Sequence, residues 1–566
     1  MSTPDARADA RADDLAAPLD LLLTSAAIGP MRRLLPNASW ARMTAGLVAR
    51  PRTVAGRAAD LAGELARIAI GHSDRAPSRR DRRFADPAWT HHPVLRRIVQ
   101  AYLAAAETAG ALTADAQLEW RDRQRMGFVV DNLVEALAPS NNPLVNPVAW
   151  KALIDTAGLS SVAGTRNLVR DLATAPRVPS MVEPTAFEVG KTVAATPGAV
   201  VFRNEILELI QYTPQTPKVR TVPLLVVPPV INKYYVVDLA PGRSMIEYFV
   251  QQGQQVFTIS WRNPDARHRD WDLDTYGQAI LDAMDAVQRI CRTETTHLFA
   301  TCSGGILASM LLAHLADRGE LDRVAGFTLA VSVLDQTHAG FASAALDERV
   351  AAAAVASSAA KGYLDGRALA EVFAWLRPTD LIWSYWVNNY LQGRPPAAFD
   401  VLFWNADTTR MTAALHRGFV ELAMTNALTQ PGKATMLGSA IDLGKIGTPS
   451  YVIAGIADHI CPWQACYRSA QLLGGENRFV LSTAGHIASM VNPPGNPKAT
   501  YQINEGNPVD PDEWLRTATT VQGSWWPDYD AWLGGRSGRL KAAPESLGGG
   551  GLDPLEPAPG SYVRET

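Results

Sequence analysis

The sequence contains little cysteine and almost no net charge. Four cysteines occur in 566 residues, none of them in a C-x-x-C pair, and Cys461 and Cys466 lack the spacing of a zinc site. We therefore expect neither a disulfide framework nor a metal site, and the composition fits a reducing cytoplasm. The formal net charge of −3 gives no overall field that would favour nucleic acid or an anionic membrane.

Apolar segments of the targeting or membrane-spanning type are also scarce. The first residues are charged and contain no apolar core of a signal peptide. The longest stretch without charge lies around residues 297–316, which is long enough to raise the question of a transmembrane helix. Because Cys302, Ser303 and two glycines lie in its middle, we predict a buried strand followed by a helix instead.

The first third of the chain has the pattern of a helical domain. The Ala-, Asp- and Arg-rich residues 1–15 are predicted to be disordered. Residues 16–180 form the predicted N-terminal domain, with one helix over about 117–137 that stops before a proline. The arginine run at 79–83 could bind nucleic acid, but interleaved acids and the adjacent Phe84 favour a solvated turn.

From residue 181 the pattern becomes that of a domain with alternating strands and helices. A hairpin is predicted at 199–210, and apolar strands follow at 224–230, 255–261, 296–302, 326–333, 450–457 and 478–482. Near-continuous apolar strands separated by helices predict a parallel sheet covered on both faces. The gap at 336–448 is too long for a simple crossover. Its many aromatic residues predict a cap over the site, the core of a helical subdomain, or both.

One cysteine lies at a predicted strand-to-helix turn. The segment Ala300–Gly305 follows an apolar run and precedes a helix, as in the G-x-S-x-G nucleophile elbow. Cys302 takes the place of the serine, and Ala300 takes the place of the first glycine. We expect the alanine to be tolerated if its φ angle is negative, since only a positive φ strongly demands glycine.

Two further residues complete a candidate catalytic set in the order nucleophile, acid, histidine. Asp458 follows the strand at 450–457, and His486 lies on the loop after the next strand. Catalytic groups gather at the carboxyl ends of strands in open α/β sheets, so we predict a triad with Cys302. Each residue alone admits a structural role, as a buried cysteine or a core histidine. His459 competes as the base, but it directly follows the acid, so we assign it a supporting role.

The same geometry predicts an oxyanion hole made of backbone N–H groups. One donor is Ser303, the residue after the nucleophile, and the second comes from the loop at 228–232. Because the two prolines of this loop have no N–H, Val230 or Ile231 is the expected second donor.

Cysteine as the nucleophile favours acyl transfer over simple hydrolysis. A thiolate that attacks a thioester forms another thioester of nearly equal energy, so the acyl group stays activated for attack by a hydroxyl. A serine would form an oxoester and lose that activation. His486 would favour the thiolate by pairing with it. Asp458 would either orient His486 or act as a base on an incoming hydroxyl.

Ordered segments of the chain resemble the polyhydroxyalkanoate synthases over about residues 80–566. These segments lie at 81–89, 196–204, 228–235, 260–264, 385–390, 403–407, 458–463 and 485–498. The resemblance implies an α/β-hydrolase fold at 181–566 with a helical cap inserted at about 336–448. It also implies an acyltransferase that joins (R)-3-hydroxyacyl-CoA units into a polyester and releases coenzyme A.

The resemblance implies roles and partners as well. Cys302 would carry the growing chain, His486 would activate Cys302, and Asp458 would assist the 3-hydroxyl of the incoming unit. No cofactor is expected, since coenzyme A is part of the substrate. The expected partners are the acyl-CoA, the growing polyester, the surface of a cytoplasmic polymer granule and a second copy in a homodimer. Neither nucleic acid nor a transmembrane segment is expected.

Three segments look like the class II synthases, which prefer medium-length side chains: 302–305, 407–410 and 493–498. Cys461 is a departure, because another small residue is common there. The alternative is a hydrolase of the same fold, an intracellular polyester depolymerase or a thioesterase, which would use the same triad and admit water. A third hypothesis is a catalytically idle granule-coat protein, against which the intact triad argues.

Overall fold

The computed structural model describes most of the chain, in four stretches. These are residues 38–79, 81–173, 176–337 and 348–566. The disorder predicted for residues 1–15 lies outside the described residues. No helix in the described stretches combines the length and the apolar character that a membrane crossing requires.

The chain divides into two compact units. Among the described residues, one unit holds those of Pro184–Leu369 and Phe399–Thr566, and the other holds those from Ala38 to Glu183 together with Ala370–Ala398. The first is the unit with the large sheet, called the catalytic unit below, and the second is called the helical unit.

The helical unit is built from helices that the N-terminal sequence encodes. They are α1 (Ala38–Val48), α2 (Pro51–Ala69), α3 (Ala88–His91), α4 (Pro93–Asp115), α5 (Trp120–Ala136), α6 (Pro147–Asp155) and α7 (Leu159–Ala173). Proline begins α2, α4 and α6, where its missing N–H costs no hydrogen bond. Helix α5 is the helix predicted over 117–137. In the arginine run, Arg83 donates to Asp81 at 2.8 Å, and Phe84 is buried against Trp89.

The helical unit also includes Ala370–Ala398, a part of the predicted cap. This segment contains two π-helical stretches, Thr379–Trp383 and Trp386–Leu391. The Trp386 indole N–H donates to the carbonyl oxygen of Asn141 at 3.0 Å, and the Tyr390 hydroxyl donates to Asp171 at 2.9 Å. These rings therefore form part of the packing of a helical unit, one of the two roles that the sequence left open.

The catalytic unit is built around a mixed sheet. Its strands are β1 (Gly198–Arg203), β2 (Leu207–Tyr212), β3 (Lys218–Arg220), β4 (Leu224–Val227), β5 (Val256–Trp261), β6 (Thr296–Thr301), β7 (Val324–Ala330), β8 (Tyr363–Leu364), β9 (Met411–Thr412), β10 (Thr435–Met436), β11 (Ser439–Ala440), β12 (Ser450–Gly455), β13 (Asn477–Ser482), β14 (Thr500–Ile503), β15 (Thr519–Gln522), β16 (Leu540–Ala542) and β17 (Glu556–Pro557). Within the described residues, eleven of them form one sheet in the order β15-β14-β13-β12-β7-β6-β4-β5-β2-β1-β17.

The centre of this sheet is parallel and its margins are antiparallel. Strands β5, β4, β6, β7, β12 and β13 pair in parallel, and the hairpin of β1 and β2 adds to β5 in the antiparallel sense. All six predicted strands are present. Strand β4 ends at Val227, three residues earlier than predicted, because Pro228 and Pro229 have no N–H for the ladder.

Helices of the catalytic unit cover the sheet and connect its parallel strands. They are α8 (Met245–Gln251), α9 (Leu273–Cys291), α10 (Ser303–Asp317), α11 (Glu348–Lys361), α12 (Gly366–Leu376, which continues into the helical unit), α13 (Asp400–Ala406), α14 (Ala413–Thr425), α15 (Trp463–Gln471), α16 (His486–Met490), α17 (Pro511–Thr517) and α18 (Trp526–Gly534). Helices α8, α9 and α10 connect β4, β5, β6 and β7 in turn. The uncharged stretch around 297–316 is β6 followed by the buried α10, as predicted.

The other described parts of the predicted cap, at 348–369 and 399–448, belong to the catalytic unit. The Trp404 indole N–H donates to the carbonyl oxygen of Lys233 at 2.7 Å, in the segment that follows β4. Phe419 of α14 and Ile306 of α10 line the same small cavity of about 20 Å³. This part of the insertion therefore lies beside the first turn of α10 and beside the segment after β4, which are the two places from which oxyanion donors are predicted.

Candidate active site

Cys302 lies at a sharp turn between β6 and α10. Its φ and ψ angles are 50° and −121°, which places a residue with a side chain in the positive-φ region. Such a conformation costs about 1–3 kcal/mol and persists because the surrounding packing enforces it. A Cβ atom on Gly304 would lie 2.5 Å from the carbonyl oxygen of Pro228. The second glycine of the motif is therefore required by the close approach of α10 to the end of β4.

Ala300 lies in strand β6, before the turn. It pairs with Val227 of β4 on one side and with Leu329 of β7 on the other, and it is fully buried. Ala300 is extended and is not among the residues with a positive φ angle. The expected condition for tolerating alanine at this position is therefore met.

The structure brings the predicted acid and base together. Asp458 follows β12, and His486 begins α16 after β13. The His486 Nδ1 atom lies 2.7 Å from Asp458 Oδ2. The other carboxylate oxygen, Oδ1, accepts the backbone N–H groups of Ile460 at 2.8 Å and Cys461 at 2.9 Å. Both oxygens of Asp458 are thus bound, which fixes the carboxylate and the imidazole that it holds.

The pKa values of Cys302 and His486 are shifted in the directions that favour a thiolate–imidazolium pair, called the charge pair below. The pKa of the Cys302 thiol is lowered to about 5, first by a hydrogen bond with the Cys461 thiol and, against the effect of burial, by the His486 side chain. Burial disfavours the charged imidazole of His486, but the charge and hydrogen bond of Asp458 and the contact with Cys302 raise its pKa to about 10. Cysteine reactivity follows the thiolate, so these shifts are the ones that a cysteine nucleophile requires.

The structure brings together the two segments from which oxyanion donors are predicted. The Ser303 backbone N–H faces the Cys302 sulfur, and it belongs to the first turn of α10. The Val230 backbone N–H donates to the Ser303 hydroxyl oxygen at 3.1 Å. The loop at 228–232 therefore reaches the elbow, as the sequence predicted. The binding of an oxyanion by Val230 or Ile231 stays a prediction.

His459 is half-buried on the same loop as Asp458. The hydrogen bond to the carboxylate comes from His486, which favours His486 as the base. The supporting role of His459 stays a prediction.

Three side chains at the site are of types that also bind metal ions. One donor atom each of Asp458, Cys461 and His486 lies within 4.8 Å of the others. Backbone N–H groups and the His486 ring bind both oxygens of Asp458. The arrangement is therefore complete as an acid–base pair.

Comparison with known proteins identifies the family. The model for the N-terminus of poly-beta-hydroxybutyrate polymerase matches residues 80–249. Poly(3-hydroxyalkanoate) polymerase 2 of Ectopseudomonas oleovorans is 47% identical over 503 residues, which cover 89% of this chain and 90% of that one. The chain belongs to the poly(3-hydroxyalkanoate) polymerases. The family predicted from the sequence is thus confirmed.

Further relatives and a second family model agree with the assignment to the polymerases. Poly(3-hydroxyalkanoate) polymerase 1 of E. oleovorans is 46% identical, covering 89% of each chain. The polymerase subunit PhaC of Cupriavidus necator is 41% identical, covering 88% of this chain and 85% of that one. The alpha/beta hydrolase fold model matches residues 234–493, which include Cys302, Asp458 and His486. The chain is an α/β-hydrolase-fold polymerase of class II-like sequence.

Two features of this polymerase site could not be predicted from the sequence. One is the interaction of the Cys461 thiol with Cys302, and the other is the hydrogen bond between Val230 and the Ser303 hydroxyl. The only signal for the first was that Cys461 departs from the small residues common at its position. The second required the loop conformation, since two prolines precede Val230.

Proposed function

We propose that this chain polymerises (R)-3-hydroxyacyl-CoA into a polyester with release of coenzyme A, through a thioester on Cys302. The observation that carries the proposal is the bond between His486 and Asp458 together with the buried Cys302 at the elbow, in a chain of the polymerase family. The pKa shifts of Cys302 and His486 support it. The proposed steps use the substrate and these side chains alone.

The first step transfers the acyl group to Cys302. The thiolate attacks the thioester carbonyl, and the backbone N–H of Ser303 with one from the loop at 228–232 stabilises the oxyanion. The bond between the acyl carbon and the sulfur of coenzyme A then breaks. The leaving thiolate takes the proton of the His486 imidazolium, which leaves an acyl thioester on Cys302, a neutral His486 and free coenzyme A.

The second step forms the ester bond. The 3-hydroxyl of an incoming acyl-CoA attacks the carbonyl on Cys302, and the neutral His486 takes the hydroxyl proton. Cys302 leaves as a thiolate, which restores the charge pair. The chain, longer by one unit, is now a thioester of the incoming coenzyme A and returns to Cys302 by the first step. Asp458 assists the hydroxyl through His486, since both of its oxygens are bound.

Burial of the site supports transfer rather than hydrolysis. Cys302, Asp458 and His486 are 6%, 4% and 8% exposed. Water is thereby limited at the carbonyl that Cys302 carries, while a hydroxyl delivered by a bound substrate would react.

Product analysis tests the proposal against the hydrolase alternative. Purified protein is incubated with (R)-3-hydroxyacyl-CoA, and coenzyme A, free hydroxy acid and insoluble polymer are each measured. We expect insoluble polyester and one coenzyme A per unit incorporated, with neither from Cys302→Ala. Release of free 3-hydroxy acid without polymer would instead identify a hydrolase. Polymer formed by Cys302→Ala would remove the nucleophile assignment.

The proposed polymer granule would meet an apolar face of the helical unit. Ile154 of α6 and Leu159 of α7 are 73% and 69% exposed, and Val162, Val169 and Leu172 extend the exposed face. Next to it lies a largely apolar groove of about 400 Å³, lined by residues of α6, α7 and the second π-helical stretch. Exposed apolar patches of this kind mark interaction surfaces. A polyester product is apolar and insoluble, so we propose its surface as the partner.

Co-sedimentation with isolated polyester granules tests this face. The double variant Ile154→Asp/Val162→Asp should pellet about tenfold less than the unchanged protein, because each charge removes an apolar contact. The matched control is Val509→Asp, which changes an 85% exposed valine of the catalytic unit and should pellet normally. Equal pelleting of the double variant would refute the granule face.

A homodimer in the cytoplasm is the remaining part of the proposal, and it is supported by the family resemblance. Light scattering should give a mass near twice the 61.1 kDa of the chain. If Ile154→Asp/Val162→Asp converts a dimer to a monomer, the apolar face is a subunit interface and the granule assignment fails.

A further inference from the structure

A second thiol meets the nucleophile in the active site. Cys461 is 3% exposed, and its thiol interacts with that of Cys302. Its sulfur also lies within 4.8 Å of ring and carboxylate donor atoms of His486 and Asp458. We propose that Cys461 is a positioning residue whose S–H donates a hydrogen bond to the Cys302 thiolate and holds it beside His486. This inference rests on the proposed role of Cys302 as the nucleophile.

The charges around the two sulfurs decide which one keeps its proton. Cys302 stands at the N-terminus of α10, where the Ser303 N–H faces its sulfur, and it contacts His486. Both features favour a negative sulfur. Cys461 instead lies near the Asp458 carboxylate, which disfavours a second anion. The hydrogen bond to Cys302, burial and the charge of Asp458 all raise the pKa of Cys461 well above its ordinary value. Cys461 is therefore the donor and Cys302 the acceptor.

The backbone fixes the direction of this donor. The Cys461 N–H donates to Asp458 Oδ1 at 2.9 Å, and the same carboxylate binds His486 through Oδ2. One carboxylate thus orients both groups that flank the Cys302 sulfur. A change in the Cys461 side chain leaves this backbone bond in place, so it removes the S–H donor and keeps the Asp458–His486 pair.

A neighbouring cysteine provides a matched control. Cys302 interacts with Cys461, Cys466 and His486, and Asp458 acts on Cys461 and Cys466. Cys466 of α15 is fully buried, and its thiol is directed to the carbonyl oxygen of Cys461 at 3.7 Å. Substituting Cys466 therefore removes a thiol of the same kind near the site while leaving the proposed donor.

Loss of the donor should have two opposite effects on Cys302. The thiolate loses a hydrogen bond, so its protonation midpoint should rise by about one pH unit, the shift for a hydrogen bond from a weak S–H donor. The free thiolate also becomes more nucleophilic, since nucleophilicity rises with pKa. Below the midpoint the variant should react more slowly than the unchanged protein, and well above it at least as fast. A merely structural role would not produce this crossing of the two pH curves.

The test measures the rate at which iodoacetamide alkylates Cys302 in the full-length protein as a function of pH. Mass spectrometry of the Cys302 peptide reports the extent of alkylation. Cys461→Val roughly keeps the volume of the side chain and removes the hydrogen-bond donor. If the valine variant does not fold, Cys461→Ala is used in its place. Cys461→Ser keeps a donor. We expect the midpoint to rise by about one unit in Cys461→Val, to return toward the original value in Cys461→Ser, and to stay unchanged in Cys466→Ala.

An unchanged midpoint in both apolar variants would overturn the proposal. Equal shifts of the midpoint in Cys461→Val and Cys461→Ser would also overturn the proposal, because the hydroxyl donor would then have no effect. A shift of the same size in Cys466→Ala would overturn it as well. Alkylation needs no acyl-CoA, so these outcomes leave the polymerase proposal standing. That proposal fails separately, if the protein releases only free hydroxy acid.

Discussion

Asp458 has two possible duties in acyl transfer, and its hydrogen bonds distinguish them. Oδ1 binds two backbone N–H groups and Oδ2 binds His486, so the carboxylate acts through the imidazole. Asp458→Asn should therefore slow acylation and ester formation together, by about 10²–10⁴-fold, because both steps need the oriented His486. Rapid-quench measurement of the first release of coenzyme A, compared with the steady-state rate, checks this. Fast acylation followed by slow elongation would show that Asp458 acts directly on the hydroxyl.

The pH dependence of the charge pair is a second prediction for single residues. The pKa of Cys302 is lowered to about 5 and that of His486 is raised to about 10. Acylation needs the thiolate and the imidazolium, so its rate should fall as Cys302 gains a proton below about pH 5 and as His486 loses one above about pH 10. Between these limits the profile of kcat/KM should be flat. A rise in rate centred near pH 8–9, where an ordinary thiol ionises, would contradict the charge pair.

Three catalytic residues could be proposed from the sequence because chain order and strand ends restrict where such residues lie. Each follows an apolar run, and the fold brings the ends of those runs to one edge of the sheet. The contact between Cys461 and Cys302 has no such signal. It depends on the path of the loop after Asp458, and loop conformations are not encoded by a hydrophobic period.

The elbow is the element on which the site depends most. Gly304→Ala should place a Cβ atom 2.5 Å from the Pro228 carbonyl oxygen and force α10 away from β4. We expect coenzyme A release to fall by at least about 10²-fold, because displacement of the nucleophile and its oxyanion donor disrupts positioning. Release rate and thermal melting are the measurements.

The matched control for the elbow is Ala300→Gly. It restores the usual first glycine of the motif, in a strand where the backbone is extended. Activity should be retained, with a loss of about 0.5–1 kcal/mol in the free energy of unfolding. If Gly304→Ala were as active as Ala300→Gly, the close approach of α10 to β4 would not be required.

Element boundaries show what local patterns can and cannot predict. The parallel strands were recognisable because each is an apolar run bounded by turn residues, and the early end of β4 follows from Pro228 and Pro229. The aromatic segment at 370–398 was ambiguous. Aromatic residues at helical spacing suit a lid and a helical core equally, and its grouping with the N-terminal helices depends on contacts such as Trp386 with Asn141, far apart in sequence.

At the scale of the whole molecule, the two units are interleaved along the chain. Ala370–Ala398 belongs to the helical unit, although the chain before it, up to Leu369, and after it, from Phe399, belongs to the catalytic unit. The fragment 184–566 would therefore lack the partners of this segment, including Asn141 and Asp171. We expect that fragment to aggregate when expressed alone and to recover when residues 38–183 are co-expressed. Gel filtration measures both, and a monodisperse fragment with full activity would contradict the interleaved arrangement.

The central claim is that the polyester grows on the sulfur of Cys302, and acyl trapping tests it most directly. The protein is mixed briefly with (R)-3-hydroxyacyl-CoA, quenched in acid and digested, and the masses of the peptides are measured by mass spectrometry. The account predicts one or more hydroxyacyl units as a thioester on the Cys302 peptide, and none on Cys302→Ala. Polymer formation with the acyl group on another residue, or with no acylated peptide at all, would contradict it.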